Sequence, residues 1–248
     1  MYYSLTIVIP VYNESGSIIK TLESIERNVR LPHTINLIYD FDNDTTISPV
    51  MEYKRTYNKT NINMVKNKFG KGALNAIKTG FSTSDHDPVM VVMADMSDDL
   101  SCAAEMLDKL NKGYDIVCGS RYMTGGKQIG GPLLKRTLSR IAGVSLYYLT
   151  GLPTHDVTNS FKLYSKKVLD TINIESDGGF ELGMELVVKS FVKGYAITEV
   201  PTVWTDRSDG KSRFRLFKWL PKYMHWYMYA LKNKPKRNPA NKLQETNV

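Results

Sequence analysis

The chain has 248 residues, 42% of them hydrophobic and 23% charged, which excludes a disordered polymer and fits one large α/β domain or two small ones. From Lys211 onward it holds ten Lys or Arg against Glu245 alone, a charge of +9 that leaves the first 210 residues near −1. A neutral body with a basic tail suits an anionic partner, whereas two cysteines without metal-ligand spacing exclude a disulfide scaffold and a structural zinc site.

Leu5–Val11 reads as a first strand, too short and too poor in flanking charge for a secretory leader. After the loop Tyr12-Asn13-Glu14-Ser15, Ser17 is placed to cap a helix with Ile18, Leu22, Ile25 and Val29 on one face. A second strand, Ile35–Tyr39, runs into Asp40-Phe41-Asp42-Asn43-Asp44, where three carboxylates repel unless they are solvated or hold a donor or cation. For Asp44 the expectation is a solvated turn. Ile62–Val65 is a third strand. Gly70-Lys71-Gly72 then precedes a helix carrying Leu74, Ile77 and Phe81, a pattern that suits a phosphate or ribose and equally a plain turn.

Val89–Met93 reads as a strand buried on both faces. It stops at Asp95, and Ser97, Asp98 and Asp99 offer caps for a helix starting near Leu100. A carboxylate at the carboxyl end of a central strand lies where open α/β sheets bind ligands and suits a hard divalent cation. A set of plain helix caps is the alternative. Asp115–Gly119 is a fifth strand, so strand and helix alternate as in a doubly wound, mostly parallel sheet.

A helix from Leu133 to Leu149 should bury Leu134, Leu138, Ile141, Ser145 and Leu149. Its adjoining face carries Lys135, Arg136, Ser139 and Arg140, which fit a phosphate or lipid-headgroup site or an ordinary solvated face. His155 reads as a loop histidine, and Glu185 with Lys189 as an exposed i, i+4 ion pair. Ile197–Pro201 is a last strand. Phe214–Leu231 mixes Trp and Tyr with Lys and Arg, suiting a helix at a bilayer interface or one closing the core, with Pro221 kinking or restarting it. No stretch approaches the roughly 20 apolar residues that span a bilayer.

Taken together, these residues resemble the inverting family 2 glycosyltransferases of GT-A fold, in particular the polyprenyl-phosphate (dolichyl-phosphate) sugar synthases of mannose type. The likeness rests on Val8–Glu14, Gly70-Lys71-Gly72, Ala94–Ser97, Gly119–Tyr122 with Gly125-Gly126, Glu199-Val200-Pro201, and Asp206-Arg207 through Gly210-Lys211-Ser212. It implies that Pro10, Tyr12, Glu14, Asp40 and Asp42 hold a nucleotide, with Gly70 and Lys71 nearby. It further implies that Asp95 ligates Mg²⁺ or Mn²⁺. Arg121, Ser139, Arg207 and Lys211 would grip phosphates, assisted by Lys135 or Arg136. Catalysis would fall to Asp95, Arg121 and Arg207.

Two positions depart from the family pattern. Met93 stands where the metal motif usually has its first aspartate, and Asp40-Phe41-Asp42 stands for the usual Asp-Asp-Gly.

The expected reaction moves a sugar from a GDP- or UDP-linked donor to a polyprenyl phosphate at the cytosolic face of an anionic membrane, without nucleic acid as a partner. Such an acceptor is already anionic and needs no general base. The alternatives are transfer to a sugar or protein hydroxyl, with Glu181, Glu185 or Asp98 as base, and a non-catalytic nucleotide-sugar binder. The expected organisation is a glycosyltransferase domain over 1–213, an amphipathic helix over 214–232 and a basic flexible tail over 233–248.

Overall fold

A computed structural model describes residues 4–206 and 216–235. The strands are β1 (Leu5–Pro10), β2 (His33–Tyr39), β3 (Ile62–Lys66), β4 (Val89–Val91), β5 (Ile116–Ser120), β6 (Lys127–Ile129), β7 (Lys162–Tyr164), β8 (Ile197–Pro201) and β9 (Val203–Thr205). The helices are α1 (Ile18–Asn28), α2 (Ile47–Thr56), α3 (Ala73–Ser82), α4 (Ala103–Asn111), α5 (Leu133–Thr150), α6 (Lys166–Thr171), α7 (Leu182–Val192) and α8 (Leu216–Asn233).

Seven strands form one sheet in the order β3-β2-β1-β4-β7-β5-β8, while β6 and β9 pair separately. All neighbours in the large sheet are parallel except β7, which runs antiparallel between β4 and β5. Alternation along β1 shows why both faces are covered. Leu5, Ile7 and Ile9 pack into one cluster with α1, α2 and α4, and Val8 packs into the other with α3, α7 and α8. The chain turns outward from β1 to β2 on one side and to β4 on the other. The carboxyl ends of these adjacent strands therefore open a crevice of the kind that binds ligands in α/β sheets.

Several local expectations are corrected. Ser17 makes no side-chain cap; its hydroxyl donates instead to Glu14 Oε2 at 3.2 Å. Helix α2 went unread because Pro49 and the polar run before it look like loop, yet proline is tolerated in a first helical turn. Of the three proposed caps before Leu100, Asp99 alone acts, accepting from Ser101 N at 2.9 Å. Glu185 and Lys189 do pair, at 2.7 Å, but the pair is buried and Glu185 also accepts from the Glu175 and Ser176 amides. Helix α8 includes Pro221 as one continuous helix.

The largest difference concerns α5. Its buried residues are Gly143 and Leu146, whereas Leu134, Ile141 and Leu149, expected to be core, are exposed along with Leu133 and Tyr148. Close approach decides this orientation: a Cβ on Gly143 would lie 2.1 Å from the His155 carbonyl oxygen. Backbone cannot swing aside as a side chain can. Gly143→Ala should therefore destabilise the fold by about 1–3 kcal/mol, read as a lowered midpoint in urea.

Candidate active site

The Tyr12–Glu14 loop leaves the end of β1 with Asn13 at φ +55°. A buried carboxylate fixes it. Asp44 accepts from the Asn13 amide at 3.0 and 3.1 Å, from Thr46 N at 2.9 Å and from Thr46 Oγ1 at 2.5 Å. Asp44 is thus no solvated turn, and its importance was invisible because Asn13 is 31 residues away. Tyr12 is exposed and meets Phe41 edge-on at 5.3 Å, and Pro10 ends the buried strand. Asp40 accepts from Asn67 Nδ2 and from the Gly72 amide, both at 2.9 Å, which ties the end of β2 to the loop holding Gly70 and Lys71. Gly70 and Gly72 have φ +99° and +103°, values that require glycine. Asp42 lies apart on the surface, paired with Lys66 at 2.7 Å.

Asp95 follows β4 and accepts from Ser97 N at 3.1 Å, in a turn where Met96 takes φ +60°. Its half-exposed carboxylate faces the crevice end of the sheet. Among the described residues no group of three or more His, Cys, Asp or Glu surrounds one point. A Mg²⁺ or Mn²⁺ ion that takes one or two carboxylates and completes its shell with water and substrate phosphate needs no such group, so the residues fit. Asp98, three positions on, is 9% exposed and neither oxygen meets a hydrogen-bond donor. Burial, and next the charge of Asp95, push its carboxyl up to about 7.

At the end of β5, Arg121 is held by Asp156 through two bonds, Nε to Oδ2 at 2.6 Å and Nη2 to Oδ1 at 2.9 Å. Nη2 also donates to Ser139 Oγ at 3.1 Å and Thr158 Oγ1 at 3.0 Å. Burial alone would raise the Asp156 pKa, but Arg121 outweighs it and holds the carboxyl below the usual carboxylate range. Lys162, buried in β7, donates to the Val157 and Asn159 carbonyls and so fixes the loop that presents Asp156.

Arg121 also lines a cavity of about 360 Å³ with Tyr122, Lys127, Gln128, Arg136 and Arg140, among others. No acidic residue among the described ones lines it, and Lys127, Arg136 and Arg140 form no ion pair with a described residue. Lys135 does not line it. Arg207 and Lys211 lie outside the described residues.

His155 is not a lone loop histidine. Its Nδ1 meets Glu199 Oε1 at 2.5 Å, and its ring stacks on Tyr147 with centroids 3.8 Å apart. Glu181 accepts from the Gly178 and Gly179 amides, each at 2.7 Å. Asp44, Asp156 and the Glu199–His155 pair were missed because each works through a partner distant in sequence, and Lys162 because a buried lysine reads like an exposed one.

A mostly parallel sheet flanked by helices, with a carboxylate after β4 and a cationic cavity after β5, defines a GT-A glycosyltransferase fold. Crystal structures of glucosyl-3-phosphoglycerate synthase from Mycobacterium tuberculosis share it. The complex with Mn²⁺, UDP and glucosyl-3-phosphoglycerate superposes with a TM-score of 0.70 at 14% identity, covering 94% of this chain and 82% of that one. The complex with Mg²⁺ and UDP gives 0.68 at 14% identity over 94% and 81%.

Residues 6–172 match the model of glycosyl transferase family 2, and the chain belongs to that family and so to the glycosyltransferases. Polyprenol monophosphomannose synthase of Mycolicibacterium smegmatis is 30% identical over 49% of this chain and 48% of its own length. Dolichol-phosphate mannosyltransferase of Pyrococcus furiosus is 24% identical over 85% of this chain and 59% of its own. The chain thus spans about half to three fifths of these relatives' length.

Proposed function

We propose that this protein is an inverting glycosyltransferase that moves a sugar from a nucleoside-diphosphate sugar, GDP- or UDP-linked, to a polyprenyl phosphate. The observation that carries the reading is the pairing of two surfaces. The cavity beside Arg121 presents Lys127, Arg136 and Arg140 without a carboxylate among its described lining, and the helix supplying both arginines exposes Leu133, Leu134, Ile141, Tyr148 and Leu149. Cations beside an apolar helix suit an amphiphile with a phosphate head. The names of the two mannosyltransferase relatives agree with this acceptor class.

In the reaction, a phosphate oxygen of the acceptor attacks the anomeric carbon. The bond from that carbon to the donor diphosphate breaks, its electron pair leaves with the nucleotide, and the centre inverts. Asp95 would hold Mg²⁺ or Mn²⁺, which when bound neutralises charge on the departing diphosphate. Tyr12, Glu14, Asp40, Gly70 and Lys71 would seat the nucleotide. Asp42, paired at the surface with Lys66, could reach only its rim. Arg136, Arg140 and Ser139 would seat the acceptor phosphate, with Arg207 and Lys211 joining from outside the described residues. No proton need be removed from an acceptor already ionised near neutral pH. Transfer to a hydroxyl would need a carboxylate base; Glu181 and Glu185 are each committed to two backbone amides, which leaves Asp98 as the candidate for that alternative.

The protein would work at the cytosolic membrane face as a peripheral enzyme. No helix among the described residues is long and apolar enough to cross a membrane. The aromatic rings of α8 were expected to meet lipid, but Trp226 is buried and Tyr223, Tyr227 and Tyr229 pack against the core, while Met224 and Met228 are exposed. Lipid contact would therefore fall to α5 and these methionines, and charge to the tail beyond residue 235.

The test is a panel of GDP- and UDP-sugars with a short polyprenyl phosphate, the lipid products being weighed by mass spectrometry. The expected result is one glycosyl phosphate lipid, with Arg136→Ala lowering kcat/KM by about 30-fold or more, the loss of a charged contact worth 2 kcal/mol or more. A neutral polyprenol serving equally well would sink the phosphate acceptor. Ile141→Glu and high salt should each reduce co-sedimentation with anionic vesicles; unchanged sedimentation in both would sink the membrane reading.

A further inference from the structure

We propose that Asp98 is the second carboxylate of the cation site, taking over from the aspartate that Met93 replaces. The inference rests on the proposed nucleotide-sugar chemistry and deepens it.

Three observations carry it. First, Asp98 is 9% exposed and both of its oxygens lack a hydrogen-bond donor, an arrangement that costs free energy unless something completes it. Second, the charges acting on this carboxylate are those of Asp95, Arg121 and Lys162, and the Met93 amide approaches it without reaching hydrogen-bond geometry. The group therefore sits at the crevice end of β4, beside the very residue whose side chain has lost its carboxylate. Third, the backbone is locked to put it there. Met96 at φ +60° reverses the chain, Thr205 N donates to the Ser97 carbonyl at 2.9 Å, Asp99 N donates to the Val203 carbonyl at 3.0 Å, and Asp98 bridges Trp204.

The Asp95 charge acts unfavourably on the buried Asp98 carboxylate, and a divalent cation held by both would remove that repulsion. The other acids near the crevice are already committed. Asp44 and Asp40 serve backbone amides, Asp156 serves Arg121, and Glu181 serves two glycine amides. Among the described residues, Asp98 alone combines burial at this end of the sheet with two uncommitted oxygens. Arg121 gives it no hydrogen bond: Nε and Nη2 go to Asp156, Ser139 and Thr158, and neither Asp98 oxygen has a donor.

The probe is Mn²⁺, added to the full chain with UDP and, separately, with GDP. In protein labelled with ¹³C at its aspartate side-chain carboxyls, electron–nuclear double resonance should show two carboxylates on the bound ion. Asp98→Asn should leave one and weaken Mn²⁺ binding at least tenfold, while metal-free nucleotide binding stays as it was. Adding Met93→Asp to Asp98→Asn should return both the second carboxylate and the affinity. A single carboxylate on Mn²⁺ in the unaltered protein overturns the inference even if Asp98→Asn fails to fold. An unchanged Mn²⁺ affinity in a folded Asp98→Asn protein overturns it as well. Those two results leave the proposed function standing, whereas no Mn²⁺ binding with either diphosphate overturns the inference together with the cation chemistry of that function.

Discussion

Asp95→Ala is expected to abolish sugar transfer, lowering kcat by about a thousandfold or more, the scale seen when one group stabilising a developing charge is removed. The residue lies in the segment that follows the central strand β4, its turn is set by the bond from Ser97 N, and it faces the crevice where the leaving diphosphate would sit. The loss should be chemical rather than structural. Asp95→Asn keeps an oxygen for the Ser97 amide, so it should melt within a degree or two of the parent while remaining inactive. Transfer that survives in Asp95→Asn, or in excess chelator, would remove the metal assignment.

Asp156→Asn should give the largest loss of stability, about 3–5 kcal/mol, because it strands the buried guanidinium of Arg121 without a counter-charge. The side chains are 9% and 0% exposed, so water cannot compensate. In a chain of this size each kcal/mol moves the melting midpoint by about 2–4 °C, so a fall of roughly 10 °C is the expected reading. The sign of the pH dependence follows from the lowered Asp156 pKa. The folded state holds this carboxylate ionised more firmly than the unfolded chain does. Its stabilisation is therefore complete above the unfolded value of about 4 and is lost as pH falls through the lower folded value. Below that range the parent and Asp156→Asn should converge, and a difference that persists undiminished there would refute the account. A double change that also replaces Arg121 with methionine should recover part of the loss, since it removes the stranded charge.

The apolar strands around Ile7, Leu37, Val91 and Val117, the helices between them other than α2 and the doubly wound order were legible because hydrophobic period and strand length are local properties. So were Asp95 after a buried strand, Gly70-Lys71-Gly72 before a helix and the cations Arg136 and Arg140 on one helix, because each signal lies within a few residues. Tertiary structure alone decided which face of α5 is buried. Its apolar row at Leu134, Ile141 and Leu149 predicts core, but Gly143 and Leu146 are the residues that fit against the His155 loop, so the row is left outside. Periodicity shows that a helix has an apolar face, and only the packing partner shows which face it meets. The same holds for Asp44, Asp156, His155 and Glu199. A buried charge in a sequence looks like an exposed one, and the partner that makes it tolerable comes from a distant part of the chain: Asn13 lies 31 positions from Asp44, Arg121 lies 35 from Asp156, and Glu199 lies 44 from His155. Asp98 shows the converse, since its sequence position suggests a helix cap and only burial beside Asp95, with both oxygens uncommitted, separates it from Asp99, which is one.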